Sequence, residues 1–172
     1  VFGLSAKVVM QSTANAFRVA MARSYGAELV IKHPGNPTFA EAERLVKEEK
    51  RSFIHPFEGI HTSLGTAGVG LELMEDLPRL EAVVVSCGGG GLISGVAAAV
   101  KLINPSCKVF GVEPIGADSM SQSLKAGHPI TLDKTETVAD SLAPPMTLPM
   151  CFNLCRSFLD DIVTVSDDEI CA

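Results

Sequence analysis

The sequence predicts an α/β fold of mainly parallel sheets with helices on both faces. Short β-branched runs alternate with stretches of helical periodicity along the whole chain, the pattern of repeated βαβ units. One run, Glu81-Ala82-Val83-Val84-Val85-Ser86, is apolar without alternation, as expected of a strand buried on both faces. The apolar content is aliphatic: 47% of residues are hydrophobic, only 5% aromatic, and none is Trp.

Ala6 to Met10 reads as the first strand. Ser12 or Thr13 is expected to cap a helix through Phe17, Ala20 and Met21, with Gly26 as its stop. Glu28 to Ile31 is the next strand. Asn36-Pro37 opens a helix as cap and first residue. Phe39, Ala42, Leu45 and Val46 share one face of it. Glu41 and Glu43 near its start and Lys47, Lys50 and Arg51 near its end suit the helix dipole. Ser52 to Ile54 reads as a short strand. His61 to Met74 reads as a helix closed by Pro78. Strand Glu81–Ser86 leads through four glycines into a helix from Leu92 to Ile103, ended by Asn104-Pro105. Lys108 to Val112 is a strand, Ser119 to Lys125 a helix stopped by Gly127, Met150 to Leu159 a helix, and Ile162 to Val165 the last strand. Asp167-Asp168-Glu169 begins another helix. The chain is expected to divide into residues 1–57 and 58–172.

Composition excludes several functions. The net charge is -6 and the pI about 5.2, with no Lys/Arg stripe, which argues against nucleic acid or an anionic membrane as partner. No apolar run reaches the ~20 residues of a membrane span. Cys87, Cys107, Cys151, Cys155 and Cys171 form no CxxC pair, so free thiols in a reducing, cytoplasmic compartment are expected. His33, His55, His61 and His128 sit in no metal-ligand spacing and read as structural or surface residues.

The strongest chemical signal is Ser86-Cys87-Gly88-Gly89-Gly90-Gly91-Leu92 between a strand and a helix. Four glycines there are entropically costly. They make sense if the backbone must approach a ligand, gripping a phosphate with loop N–H groups and the free N–H groups of the helix start. A flexible turn is the plain alternative. A dinucleotide loop is the sharper one: Gly89 and Gly91 fit two positions of G-x-G-x-x-G, Ser94 falls on the third, and Glu113 stands where a ribose-binding acid would. No Gly-Lys-Ser/Thr follows, so a Walker loop is excluded.

The stretch VVVSCGGGGLISGVAAAVKLINPSCKVFGVEP resembles the core of serine/threonine dehydratases and serine racemases, pyridoxal-phosphate (PLP) enzymes of the tryptophan-synthase-β-like fold type II. AKVVM…AMARSYGAELV, FIHPFEG, GTAGVGLELMEDLP, TVADSLA and LDDIVTVSDDEI have counterparts in the same order. The resemblance implies part of a small domain in residues 1–57 and part of a large cofactor domain in 58–172. Gly88, Gly89, Gly90, Gly91 and Leu92 would form the phosphate cup. Glu113 and the carbonyl of Ala117 would match a divalent-cation (Mg or Ca) site, with Asp118 either serving that site or capping the next helix. The reaction implied is dehydration, an ammonia-lyase activity on a small hydroxy-amino acid, or racemisation. A homo-oligomer, as a dimer, is the implied assembly.

The chain departs from that pattern in places. Ser119 stands where relatives carry a carboxylate, Ser141 replaces a glycine expected near the cofactor, Phe57 replaces an Asn, and Gly65-Thr66-Ala67-Gly68 lacks a Gln. The Ser-Phe-Lys-x-Arg-Gly-type motif that would carry the cofactor lysine and the Ser-Ser-Gly-Asn-His substrate loop do not occur in the 172 residues. The chain is therefore expected to be cut at both ends and inactive alone. A phosphate-binding remnant without turnover is the non-enzymatic alternative.

Overall fold

The computed structural model describes residues 3–33 and 36–172, the side chain of Asn36 excepted. Contacts divide the chain into two compact units, Val1–Ile54 and His55–Ala172.

In the first unit, β1 (Lys7–Gln11) and β2 (Glu28–Lys32) pair in parallel, with Lys7 opposite Glu28. Helix α1 (Ala16–Ser24) connects them and α2 (Asn36–Glu49) follows. Asn15, not Ser12 or Thr13, caps α1: its side chain accepts from Phe17 N at 2.8 Å. An Asn side chain one residue before the helix reaches its free N–H groups. Leu45 on α2 is buried. Lys7 Nζ pairs with Glu49 at 2.7 Å and Glu28 at 3.1 Å, and both carboxylates hold the lysine pKa above its ordinary value. Residues 52–54 form no strand; Ile54 is 80% exposed.

In the second unit, α3 (Ile60–Asp76) precedes a parallel sheet of order β3-β4-β5, built from Ala82–Ser86, Lys108–Pro114 and Asp161–Val165. Helix α4 (Gly91–Ile103) crosses from β3 to β4. Helices α5 (Ser119–Ala126) and α6 (Pro149–Phe158) lie between β4 and β5, and α7 (Asp167–Cys171) ends the chain. The core joins Val83, Val85, Ile93, Val96, Val100, Val109, Met120, Cys151, Phe152 and Cys155. Each large aliphatic side chain buried there contributes about 1.5–3 kcal/mol. Helix α4 is buried along most of its length because Ser94, Gly95, Ala97 and Ala99 are small enough for α3 and the sheet to close on it.

Strand β3 differs from expectation. Val83 and Val85 are buried, whereas Val84 is 67% exposed among the described residues. The unbroken apolar run therefore marks a strand with one face packed and one apolar face open. At the N-terminal edge of this sheet Asp160 binds Lys101 Nζ at 2.6 Å, Lys108 Nζ at 2.8 Å and Val109 N at 2.8 Å, tying α4, β4 and β5 together. Those partners hold its carboxyl well below the usual range.

Candidate functional site

The glycine loop lies where β3 ends and α4 begins. Ser86 stands opposite Val112 on β4, and Cys87 N donates to Val112 O at 2.8 Å, so the ladder continues to the edge of the loop. Gly90 is the N-cap of α4 with φ +98°, a conformation that favours glycine.

The other glycines are small because the chain packs on them. A Cβ on Gly89 would lie 2.5 Å from Phe57 Cγ, and one on Gly91 would lie 2.7 Å from the Phe57 Cα. A Cβ on Gly88 would lie 3.0 Å from Leu142 Cα. This corrects the sequence argument: packing of Phe57 and of the turn at Asp140–Leu142 accounts for the missing side chains. What points to a ligand is the set of donors. Among the described residues, no hydrogen bond is made by the N–H groups of Gly88, Gly89, Gly90, Gly91 and Leu92, while Gly89, Gly90 and Gly91 are buried. Buried backbone donors are rarely left without partners. A helix start with its amides open is a site for an anion.

The loop's surroundings are tied down. Phe57 is 7% exposed, and Cys151 Sγ donates to its carbonyl at 3.0 Å. Burial pushes the Cys151 thiol up to about 12, so it remains the protonated donor. His55 Nδ1 accepts from Phe57 N and Glu58 N, at 3.3 and 3.0 Å. Burial lowers the His55 pKa, which favours the neutral ring able to accept. Glu58 in turn accepts from Met150 N at 2.8 Å and Cys151 N at 3.2 Å, capping α6 from a distant loop. Thr147 Oγ1 donates to Gly89 O at 3.1 Å, and Thr66 Oγ1 to Gly91 O at 2.9 Å. Thr147 and Glu58 were missed by sequence reasoning. Thr147 lies two residues before Pro149, and the N-cap of α6 is Leu148.

Glu113 lies beside this loop, fully buried. Its two carboxylate oxygens accept from Met120 N at 2.9 Å and Ser121 N at 2.8 Å, closing the start of α5. Burial pushes its pKa up to about 7, opposed by those two amides. The same burial keeps it from reaching a ribose, so the dinucleotide alternative loses its acid. Ala117 is also buried. Asp118 makes no side-chain cap; it accepts from Gln122 Nε2 at 2.7 Å instead. Ser119 Oγ is buried with no partner among the described residues. No group of three or more His, Cys, Asp or Glu among the described residues is arranged for a metal. Ser141 sits on the turn against Gly88, exposed, with its hydroxyl on Asp140 Oδ1 at 3.2 Å.

A family model described as pyridoxal-phosphate dependent enzyme matches residues 1–172. The chain belongs to that family. It is 48% identical over 168 residues to a phenylserine dehydratase of Ralstonia pickettii, covering 98% of this chain and 52% of that protein. It is 37% identical over 173 residues to an L-threonine ammonia-lyase of Thermotoga maritima, covering 99% of this chain and 43% of that one. The structure of maize serine racemase superposes with a TM-score of 0.93 at 35% identity, over 98% of this chain and 51% of that chain. The chain thus spans about half the length of the curated relatives it matches. The fold is the PLP fold of these relatives, in part.

The loop fits the cofactor's phosphate: the donors are amides, the loop is buried, and a helix dipole points at it. Five of the eight lysines, Lys7, Lys32, Lys101, Lys108 and Lys134, are engaged with carboxylates, a partnership that does not suit a covalent role for them.

Proposed function

We propose that the full-length protein is a PLP-dependent dehydratase, an ammonia-lyase for hydroxy-amino acids of the serine and threonine type. The open amides of the buried glycine loop carry this reading. The 48% identity to phenylserine dehydratase favours elimination and admits substrates with a bulky β-substituent. Racemisation is the second reading, supported by the fit to maize serine racemase. In this account residues 1–57 belong to a small domain and 58–172 to a large cofactor domain. The enzyme would act as a cytoplasmic homo-oligomer.

Gly88, Gly89, Gly90, Gly91 and Leu92 would hold the phosphate. When bound, PLP supplies an electron sink for electrons released at the amino-acid Cα. This chain's part is to anchor and orient: the amides fix one end of the ring system, and Phe57 excludes water from the loop.

The residues around Glu113 and Ala117 do not suit Mg or Ca. A divalent ion prefers several oxygen ligands including carboxylates, and the two carboxylates here are already engaged, Glu113 by the amides of Met120 and Ser121 and Asp118 by Gln122 Nε2. Millimolar Mg²⁺ or Ca²⁺ is expected to leave the melting temperature unchanged; a rise of several degrees would restore the cation site.

The test is an assay of the full-length protein with PLP against L-serine, L-threonine and phenylserine. Keto acid and ammonia are the expected products. Inversion at Cα without keto acid would favour the racemase reading. The 172-residue chain alone is expected to turn over none of them.

A further inference from the structure

We infer that Thr147, supported by Thr66, is a positioning residue that turns the glycine-loop amides toward the phosphate. The inference rests on the cofactor reading above. A trans peptide is planar, and its C=O and N–H point in opposite directions across the C–N bond; no described peptide is cis. Fixing a carbonyl therefore aims the following amide the other way. Three consecutive carbonyls of the loop are fixed. Gly89 O accepts from Thr147 Oγ1 at 3.1 Å, Gly90 O from Ser94 N at 2.9 Å, and Gly91 O from Thr66 Oγ1 at 2.9 Å. The amides aimed away from these contacts are those of Gly90, Gly91 and Leu92, three of the proposed phosphate donors.

The Gly89–Gly90 peptide needs such a tether most. It lies between two glycines, where rotation of the whole peptide meets little resistance. It precedes the regular hydrogen bonding of α4, which fixes the next carbonyl through Ser94. Thr147 is 1% exposed, and among the described residues its hydroxyl makes this one bond. Without the hydroxyl, Gly89 O would be buried and unpaired. Rotation toward another donor would turn Gly90 N–H away from the phosphate. Thr66 is the weaker tether, because its one proton is shared by the carbonyls of Thr62 at 3.1 Å and Ser63 at 3.2 Å as well, and Gly91 O also accepts from Ser94 Oγ at 3.3 Å.

The experiment compares PLP with pyridoxal, which lacks the phosphate, by equilibrium dialysis against the full-length protein. Thr147→Val removes the hydroxyl and keeps the shape. It is expected to weaken PLP binding roughly tenfold, the cost of one lost buried hydrogen bond, and to leave pyridoxal binding within about twofold. Thr147→Ser should restore PLP affinity. Thr66→Val should show the same selective loss, roughly threefold; it carries the test if Thr147→Val does not fold. Equal losses for PLP and pyridoxal, or no loss of PLP in either Val variant, would overturn the inference while leaving the cofactor reading intact. A wild-type protein that binds no PLP would overturn the cofactor reading and this inference with it.

Discussion

Helices α4 and α5 begin at the C-terminal ends of adjacent strands, and they treat their first amides in opposite ways. At α5 the chain supplies its own anion: Glu113 takes the N–H groups of Met120 and Ser121. Helix α6 is closed likewise by Glu58. At α4, among the described residues, no carboxylate accepts from the first amides, and those from Gly88 to Leu92 make no hydrogen bond. The dipole physics is the same in each case. An end filled by the protein's own carboxylate becomes structure; an end left open beneath glycines is where we propose that the phosphate sits.

Converting one kind of end into the other gives the largest expected effect. Gly89→Asp brings a carboxylate to α4, with a Cβ that would sit 2.5 Å from Phe57 Cγ. PLP affinity of the full-length protein should fall roughly 100-fold or more, about 3 kcal/mol of unpaired charge against the phosphate. Equilibrium dialysis reads this, and an unchanged affinity would break the comparison. The reverse change, Glu113→Ala, opens α5 and strips two amides of their acceptor. It should cost about 2–3 kcal/mol of stability, seen as a lower urea midpoint. If the midpoint holds, Glu113 is not the closure it is taken for here.

Two smaller effects mark what lies outside the comparison. Asn15→Ala removes the cap of α1 and should destabilise the first unit by about 1 kcal/mol, without changing PLP affinity. Asp160 gives the smallest effect, because Lys108 is 59% exposed and water screens that pair. Its folded pKa lies below the unfolded value of 3.8. Its stabilisation is therefore fully present above that value and is lost as pH falls below it. Urea midpoints at pH 7 and pH 3 should differ less in Asp160→Asn than in the wild type. An equal drop in both would show that the clamp does not contribute.

Most of the strand and helix order was legible because periodicity and turn residues are local signals. Gly127 stops α5 with φ 80°, as its position implied. The failures share a cause. The cap of α1 moved to Asn15 because three neighbouring polar residues compete and only geometry chooses among them. Ser52–Ile54 has strand composition but no partner strand among the described residues. Val84 belongs to an apolar run, yet the run cannot say whether both sheet faces are covered. At the site, the glycine loop between a strand and a helix was legible, but not the packing reason for each glycine: Phe57 comes from a turn more than thirty residues upstream of Gly89. Glu58, Thr66 and Thr147 act across the fold, on backbone atoms that sequence does not connect to them.

The central claim, that the open start of α4 holds the phosphate, is tested most directly by a crystal structure of the full-length protein with PLP. The expected result places phosphate oxygens about 3 Å from the amide nitrogens of Gly89, Gly90, Gly91 and Leu92, with Thr147 still on the Gly89 carbonyl. A phosphate bound elsewhere, with those amides turned inward, would contradict it.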